Sequence, residues 1–372
     1  MIYLDEAATT PVRREVLEAM WPYLGPQFGN PSSHHEVGEA ASRALEQARA
    51  DVAQVLGARA SEITFTSGGT ESDNTAIKGI ALAAPRGRHV VVSAVDHPAV
   101  LESAAFLGRT GYEITLLPVD DVGTVQPETL EAALRDDTTL VSVQYANNEV
   151  GTVQPIAELS RIAATRGAPF HTDAVQAAGW LDLDVGRLGV QALSISGHKV
   201  GAPKGVGILF VQRRVPLEPL IHGGGQEGGR RSGTENVAAA VGMATALRLA
   251  GGDTSEAAAR RDAFIARVLA GVPGAVLTGH PQHRLPGSAS FVFPGTSGES
   301  ILLDLERRGI VSSSGSACAA GSDDPSHVLT AMGLSAEVAQ TAVRFTFGRT
   351  TTEADLDAAA DELVRAVGGL GA

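Results

Sequence analysis

Short apolar runs alternate with alanine-rich stretches through the first two-thirds of the chain. Seven of these runs have the length and composition of strands, at residues 63–66, 89–93, 113–117, 140–144, 170–172, 193–196 and 207–211. Residues 70–84, 99–110 and 156–166 between them have helical character. Nearly continuous apolar strands that alternate with helices are typical of a sheet covered on both faces. The pattern therefore predicts an α/β fold with a mostly parallel, seven-stranded sheet.

The hydrophobic pattern changes near residue 250. Residues 251–254 (GGDT) interrupt the chain, and a long helix is predicted from there to residue 272. Strands at 288–292 and 343–347, a further element at 299–309 and a closing helix at 353–367 indicate a smaller α+β unit. Because single cores stop growing near ~250–300 residues, two domains are expected. We place the larger domain at 13–250 and the smaller at 1–12 with 251–372.

The amino-acid composition and the ends of the hydrophobic pattern disfavour some classes of binding partner. The 372 residues carry a formal net charge of −13, which disfavours a nucleic-acid partner because such a surface needs clustered Lys and Arg. The single cysteine, Cys318, excludes an intramolecular disulfide. The N-terminus has no basic and apolar leader, and no apolar run is long enough to span a membrane. We therefore expect a soluble, cytoplasmic protein with neither a nucleic-acid nor a membrane partner.

The segment that follows the first predicted strand has the character of an anion site. Residues 67–71 (SGGTE) place two glycines directly before a predicted helix. Glycines let backbone N–H groups approach an anion, and a helix N-terminus adds partial positive charge. The segment lacks the P-loop pattern. An ordinary glycine turn with Thr70 as helix cap explains the same residues equally simply.

Polar side chains also follow four other predicted strands. They are His97, Asn148, Asp173 with Gln176, and His198 with Lys199. Ligands of open α/β sheets collect beyond the carboxyl ends of the strands, so these groups are expected at one edge. Together with an anion site, a carboxylate, a planar imidazole and a lysine amine are what pyridoxal 5′-phosphate (PLP) needs from a protein.

Several motifs carry a resemblance to a known family along essentially the whole chain. They are AATTP (7–11), GNPSS (29–33), TSGGTESDN (66–74), NNEVG (147–151), SGHK (196–199), RSGT (231–234) and SSGSAC (313–318). With these motifs the chain resembles the NifS/IscS-like cysteine desulfurases of the class V aminotransferase-fold enzymes. The resemblance implies the PLP-dependent transferase fold, which is aspartate aminotransferase-like and of fold type I.

The resemblance also implies roles for individual residues. Lys199, Cys318 and His97 would be catalytic, with Lys199 binding the cofactor aldehyde and moving the substrate α-proton, and Cys318 attacking the substrate sulfur. Cofactor binding would fall to Gly69, Thr70, His97, Asp173, Gln176, Ser196, His198, Lys199 and Thr234. Thr234 would reach in from the second subunit of a homodimer. Asn148 and Arg344 would bind the substrate carboxylate, and no metal is expected.

The implied reaction converts L-cysteine to L-alanine and leaves sulfur on Cys318 as a persulfide for a sulfur-acceptor protein. Whether that acceptor is an iron–sulfur scaffold is left open. Residues 368–372, which follow the last predicted helix, lack the docking extension that many scaffold-feeding relatives carry. A selenocysteine lyase or another class V PLP enzyme is the nearest alternative. A non-catalytic sulfur carrier is a rival of another class, which the presence of Lys199 and Asp173 disfavours.

Two other sequence patterns are weak evidence for a binding site. Residues 223–228 (GGGQEG) match the dinucleotide motif GxGxxG, but no clear strand precedes them and no helix follows. The paired histidines His34 and His35, and His280 with His283, lack the spacing of a metal-binding framework.

Overall fold

The computed structural model describes residues 1–83, 86–315 and 324–370. Its strands are β1 (Ile2–Tyr3), β2 (Ile63–Thr66), β3 (His89–Ser93), β4 (Glu113–Leu117), β5 (Thr138–Ser142), β6 (Phe170–Asp173), β7 (Ala192–Ser196), β8 (Gly207–Val211), β9 (Val276–Leu277), β10 (Ser288–Val292), β11 (Ile310–Val311) and β12 (Ala342–Thr346).

The helices of the same ranges alternate with the strands. They are α1 (Arg14–Leu24), α2 (Glu36–Leu56), α3 (Gly69–Ala83), α4 (Pro98–Arg109), α5 (Pro127–Ala133), α6 (Ile156–Thr165), α7 (Val185–Leu188), α8 (Val237–Ala250), α9 (Ser255–Gly271), α10 (Gly298–Arg307), α11 (His327–Ala331), α12 (Ala336–Ala339) and α13 (Glu353–Leu370). None of the helices in the described part of the chain is long and apolar enough to cross a membrane.

The large sheet has seven strands in the order β2-β8-β7-β6-β5-β3-β4. Strand β8 runs antiparallel to both of its neighbours, and the other pairings are parallel. Strands β2, β3, β5, β6, β7 and β8 are buried along their whole length, whereas the edge strand β4 is partly exposed. Burial on both faces explains their nearly continuous apolar sequences. The predicted α/β fold and the mostly parallel sheet are confirmed.

Some predicted boundaries are wrong by a few residues. Strand β5 ends at Ser142 rather than at Gln144 because the backbone N–H of Gln144 donates to the Asp96 carboxylate, at 2.7 Å, instead of extending the strand. Helices α1, α2 and α8 were not predicted. Helix α8 packs against both of the others and is buried along most of its length, so it has little amphipathic signal.

The C-terminal part of the chain forms a second core. Strands β12, β10 and β9 make an antiparallel sheet, and Phe264 of α9 packs edge-on against Phe345, with ring centroids 5.3 Å apart. Strand β1 pairs in parallel with β11, which ties the N-terminus to this unit. The separate cores support the division into 13–250 and 1–12 with 251–372, which stays a prediction.

Candidate active site

A cavity of about 650 Å³ lies where the carboxyl ends of the large sheet meet the smaller unit. Most of the residues singled out from the sequence line it: Gly69, Thr70, His97, Asn148, Asp173, Gln176, Ser196, His198, Lys199 and Arg344. We call Gly69, Asp173, Ser196 and Lys199 the sheet wall, and Asp5, Gly315 and Arg344 the small-unit wall. The fold therefore brings together predicted residues that lie up to 275 positions apart in the chain, from Gly69 to Arg344 of the smaller sheet.

The start of α3 forms a concave, close-packed turn in the sheet wall. A Cβ atom on Gly69 would lie 2.8 Å from Val175 Cγ2 and 3.3 Å from Ser196 Cβ, so a larger residue would fill the turn. Gly207 of β8 supports it from behind, since a Cβ there would come within 2.6 Å of the Gly68 carbonyl carbon. The first N–H groups of a helix have no partner within the helix, so this turn suits an anion.

Two side chains tie the same turn to the rest of the molecule. The Glu71 carboxylate accepts the Ser67 backbone N–H at 2.9 Å and the Arg231 guanidinium at 3.0 Å. Burial opposes the ionisation of Glu71, but these hydrogen bonds prevail and lower its pKa. The ionised Glu71 therefore links the turn to Arg231 and holds it in place.

Lys199 lies in the 3₁₀ turn Gly197–Lys199 that follows β7. Its Nζ atom donates to the backbone carbonyls of Ala7 and Ala8, the latter at 2.7 Å. Gln176 Nε2 donates to the same Ala7 carbonyl at 3.1 Å. The N-terminal segment thus positions both the amine and the amide at the cavity.

His97 caps α4, and this fixes the orientation of its ring. Its Nδ1 atom accepts the backbone N–H of Ala99 at 3.1 Å, so the neutral ring carries its proton on Nε2. Burial lowers the pKa of His97, and the nearby Asp173 carboxylate partly opposes that shift. A neutral, flat ring therefore lines the cavity at neutral pH.

Asp173 ends β6 in the cavity floor and is 7% exposed. One of its oxygens accepts the Val175 backbone N–H at 2.8 Å. Burial raises the pKa of this carboxyl, while the Val175 hydrogen bond and the charge of Lys199 favour its ionised form. A cationic ring nitrogen placed here would complete the charge balance.

His198 is neutral for a related reason. Burial, together with the charges of Lys199 and Lys204, lowers its pKa to about 4. Its Nδ1 atom lies 3.2 Å from the Thr9 hydroxyl. The ring is therefore a hydrogen-bonding group in this cavity rather than a cation at neutral pH.

Arg344 dominates the small-unit wall. Its guanidinium is 2% exposed, pairs with Asp5 at 2.7 Å, and donates to the backbone carbonyls of Asn148 at 2.7 Å and Gly315 at 3.2 Å. Its Nε atom is buried and has no hydrogen-bond partner among the described residues. A buried guanidinium nitrogen without a partner is costly, so the site is suited to a ligand carboxylate.

Two residues predicted for the site are not placed in this cavity. Thr234 lies exposed in the loop before α8 and is not one of the residues that line the cavity of the single chain. Cys318 lies outside the described residues. Of the described neighbours of its segment, Gly315 lines the cavity, and the Ser326 hydroxyl donates to Glu149.

Asp73, Gln144 and Lys204 also line the cavity and were not predicted. Asp73 lies one helical turn after Gly69, so helical periodicity places it on the same face and could have identified it. Gln144 ends the strand predicted at 140–144, and Lys204 lies eight residues after β7, so neither carried a comparable signal.

Residues 223–228 lie in a loop with only a short 3₁₀ turn, Glu227–Gly229. Within residues 1–83, 86–315 and 324–370, no group of three or more His, Cys, Asp or Glu side chains is arranged to hold a metal ion.

Comparison with known proteins assigns the family. The model of the family described as "Aminotransferase class-V" matches residues 2–359. The chain belongs to the class-V aminotransferase family. Within that family it groups with the cysteine desulfurases of the NifS/IscS type, as the sequence motifs predicted.

Two relatives illustrate the likeness. The chain is 49% identical to cysteine desulfurase IscS of Dictyoglomus turgidum over 98% of this chain and 94% of that protein. It is 46% identical to cysteine desulfurase NifS of Azotobacter vinelandii over 96% of this chain and 90% of that protein.

Solved structures of the class-V family agree with this fold. A NifS-like protein superimposes with a TM-score of 0.91 and 38% identity, covering 99% of this chain and 100% of that chain. A structure described as SspA in complex with cysteine gives a TM-score of 0.84 and 37% identity, covering 93% of this chain and 99% of that chain. The fold is therefore the PLP fold type I that the resemblance implied.

Proposed function

We propose that the protein is a PLP-dependent cysteine desulfurase that converts L-cysteine to L-alanine and transfers the sulfur to Cys318. The observation that carries the proposal is the shared cavity, in which the Lys199 amine and the Asp173 carboxylate lie with the turn at Gly69 and the Arg344 guanidinium. The cysteine desulfurase names of relatives at 44–49% identity support the same reaction.

The residues present fit PLP. The turn at Gly69 leaves room that a Cβ would fill, which suits a phosphate group held by backbone N–H groups with Thr70, Ser196 and His198. The buried Asp173 carboxylate suits the pyridine nitrogen, and Gln176 suits the ring hydroxyl. The amine of Lys199 suits the aldehyde.

When bound, PLP withdraws electrons from the substrate α-carbon. Lys199 holds the cofactor and then serves as the base that removes the α-proton, since its amine lies in the same cavity. Asp173 keeps the ring nitrogen protonated, and the flat His97 ring packs on the cofactor and passes protons. Arg344 and Asn148 orient the substrate through its carboxylate.

Cys318 performs the sulfur transfer in this proposal. Its thiolate attacks the sulfur of L-cysteine, an S–S bond forms and the substrate C–S bond breaks. The electron pair of the broken bond stays on the substrate carbon, which gains protons and leaves as L-alanine. The persulfide stays on Cys318 until a thiol or a sulfur-acceptor protein removes it.

We also propose that the protein works as a homodimer. Leu17, Trp21, Leu24 and Phe28, on and just after α1, are 53%, 72%, 63% and 77% exposed in the single chain. Apolar groups clustered in this way mark an interaction surface. The exposed Thr234 is proposed to complete the phosphate site of the second subunit, and sedimentation of the purified protein measures the subunit number.

Paired product analysis tests the reaction. Purified protein loaded with PLP is given L-cysteine and a reducing thiol, and L-alanine and sulfide are quantified together. Equal amounts of both products are expected from the wild type and neither from Cys318→Ala, while PLP remains bound to that variant. Pyruvate in place of alanine, or no product with the cofactor bound, contradicts the proposal. A parallel assay with L-selenocysteine tests the lyase alternative.

A further inference from the structure

A row of buried polar side chains crosses three neighbouring strands of the sheet. Ser142 Oγ on β5 lies 2.8 Å from His171 Nδ1 on β6, and His171 Nε2 lies 3.0 Å from Ser194 Oγ on β7. All three side chains are 0% exposed. None of them has a part in the proposed reaction.

Asp73 of α3 ends this row and also lines the cavity. Its Oδ1 atom lies 3.6 Å from His171 Nε2, beyond hydrogen-bond distance, and has no hydrogen-bond partner in the described part of the protein. Burial, together with the charges of Asp173 and Asp96, raises the pKa of Asp73, and the nearby Ser194 hydroxyl opposes this shift only in part. Asp73 is 1% exposed, so water does not supply the missing bond at the surface.

Three carboxyl groups share this buried region: Asp73, Asp96 and Asp173, which are 1%, 0% and 7% exposed. Burial raises the pKa of each of them, and the charge of Asp173 further raises the pKa of the other two. Several like charges in one dry region are strongly unfavourable, so at least one of these carboxyls holds a proton.

Hydrogen bonding identifies the carboxyls that carry charge. Asp96 accepts backbone N–H groups of Gln144 at 2.7 Å and Ser93 at 3.3 Å, and Asp173 accepts that of Val175 at 2.8 Å. Donors of this kind stabilise a carboxylate. These two groups are therefore the better sites for negative charge.

Asp73 differs from both. Burial lowers the pKa of its neighbour His171 to about 3, so that ring is neutral and offers Asp73 no positive charge. The charges that act on Asp73 come from Asp173 and Asp96 and have the same sign. A buried carboxyl with an unpartnered oxygen is far less costly when it is neutral.

We propose that Asp73 is the protonated member of this cluster and a positioning residue for Asp173. Its neutral carboxyl leaves the negative charge on Asp173, the group that we propose for the ring nitrogen of PLP. If Asp73 lost its proton, the additional charge would drive a proton onto Asp173 and remove that pairing. Only the link to the cofactor rests on the proposed function.

The protonation of Asp73 is tested without the cofactor. Infrared difference spectra of the full-length protein at neutral pH are recorded for the wild type and Asp73→Asn. We expect a carboxylic-acid C=O band in the wild type that is missing from the variant. A carboxylate band that is lost instead, or no difference in the acid region, overturns the proposal. Since PLP is not needed, this result stands even if the proposed reaction fails.

The positioning role is tested with PLP bound. The visible absorbance of the bound cofactor is titrated with pH in wild type, Asp73→Asn and Asp73→Ala. Asp73→Asn mimics the neutral acid, so we expect the proton affinity measured by this titration to stay within about 3-fold of the wild-type value. We expect Asp73→Ala to change that affinity about 10-fold, which is one pKa unit. Equal shifts in both variants, or no shift in either, overturn the role. Circular dichroism of each variant verifies the fold.

Discussion

The sheet wall and the small-unit wall of the cavity are built from different kinds of interaction. In the sheet wall, Asp173 and Ser196 end fully buried strands of the mostly parallel sheet, Gly69 begins α3, and Lys199 lies in the turn after β7. The small-unit wall depends on one long side chain, Arg344, held by Asp5 and by two backbone carbonyls. The sheet wall, which the backbone fixes, is therefore suited to a cofactor that stays bound. The small-unit wall, which depends on side-chain contacts, is suited to a substrate that binds and dissociates.

Removal of the amine from the sheet wall has the largest expected effect. Lys199→Ala is expected to lower the rate of alanine formation at least ~1,000-fold because one amine both holds the cofactor and moves the α-proton. The Lys199 side chain is half-buried and donates to the carbonyls of Ala7 and Ala8, and circular dichroism of the variant is expected to be unchanged. Rates of alanine formation measure the effect, and a loss smaller than about 10-fold would contradict this role.

Substitution of Arg344 tests whether the small-unit wall binds the substrate and not the cofactor. Arg344→Lys keeps the charge but loses the planar donor set and the Nε atom, so the KM for L-cysteine is expected to rise about 100-fold. Retention of PLP is expected to stay unchanged, and the absorbance of the bound cofactor measures it. A variant that loses PLP along with its affinity for cysteine would contradict the division between the two walls.

His171 lies behind the sheet wall, and its neutral state makes the stability of the protein depend on pH. Burial lowers the pKa of His171 to about 3, below the ordinary value near 6.5. Below about pH 6.5 the unfolded chain therefore protonates this histidine, whereas the folded chain keeps it neutral. The contribution of the neutral His171 to the free energy of unfolding is complete above about pH 6.5 and decreases as the pH falls toward 3. From pH 7 to pH 5 this costs about 2 kcal/mol, or ~30-fold in the folding equilibrium.

Denaturant unfolding at the two pH values measures this effect. His171→Gln is expected to lose that part of the pH dependence, whereas His222→Gln, which changes an exposed histidine, is expected to keep it. Equal pH dependence in wild type and His171→Gln would show that His171 is not neutral in the folded protein.

The smallest effect is expected from the backbone support of the anion turn. Gly207→Ala would place a Cβ within 2.6 Å of the Gly68 backbone, which has to move. We expect about 10-fold weaker retention of PLP, equivalent to 1.4 kcal/mol. Gly68→Ala is the matched control, because its nearest contact is Ser196 Oγ at 3.9 Å. Fluorescence titration with PLP measures both, and equal affinities would contradict the role of the turn.

Local sequence signals were sufficient for part of the sheet wall, whereas Ser196 was expected only from the family resemblance. Strand periodicity, together with the polar residue after each strand, led to His97, Asp173 and Lys199 because parallel strands end at one edge. The same logic did not identify Gly207, whose role depends on a contact between β8 and the turn before α3. Side-chain approach across elements is not encoded in local periodicity.

The small-unit wall was accessible only through family motifs. Arg344 lies in an apolar strand, and nothing in its neighbourhood marks it as a ligand. Its role depends on Asp5, which is 339 positions away in the chain. The expectations for Thr234 and Cys318 rest on the motifs alone and stay predictions.

The most direct test of the division between the walls measures two affinities in two variants. Dissociation of PLP and the KM for L-cysteine are determined for Asp173→Asn and Arg344→Lys with the full-length protein. The account predicts weaker PLP retention, about 10-fold or more, only in Asp173→Asn, and a raised KM with normal PLP retention in Arg344→Lys. If both variants lost both affinities to the same extent, the two walls would not have separate roles and the account would be wrong.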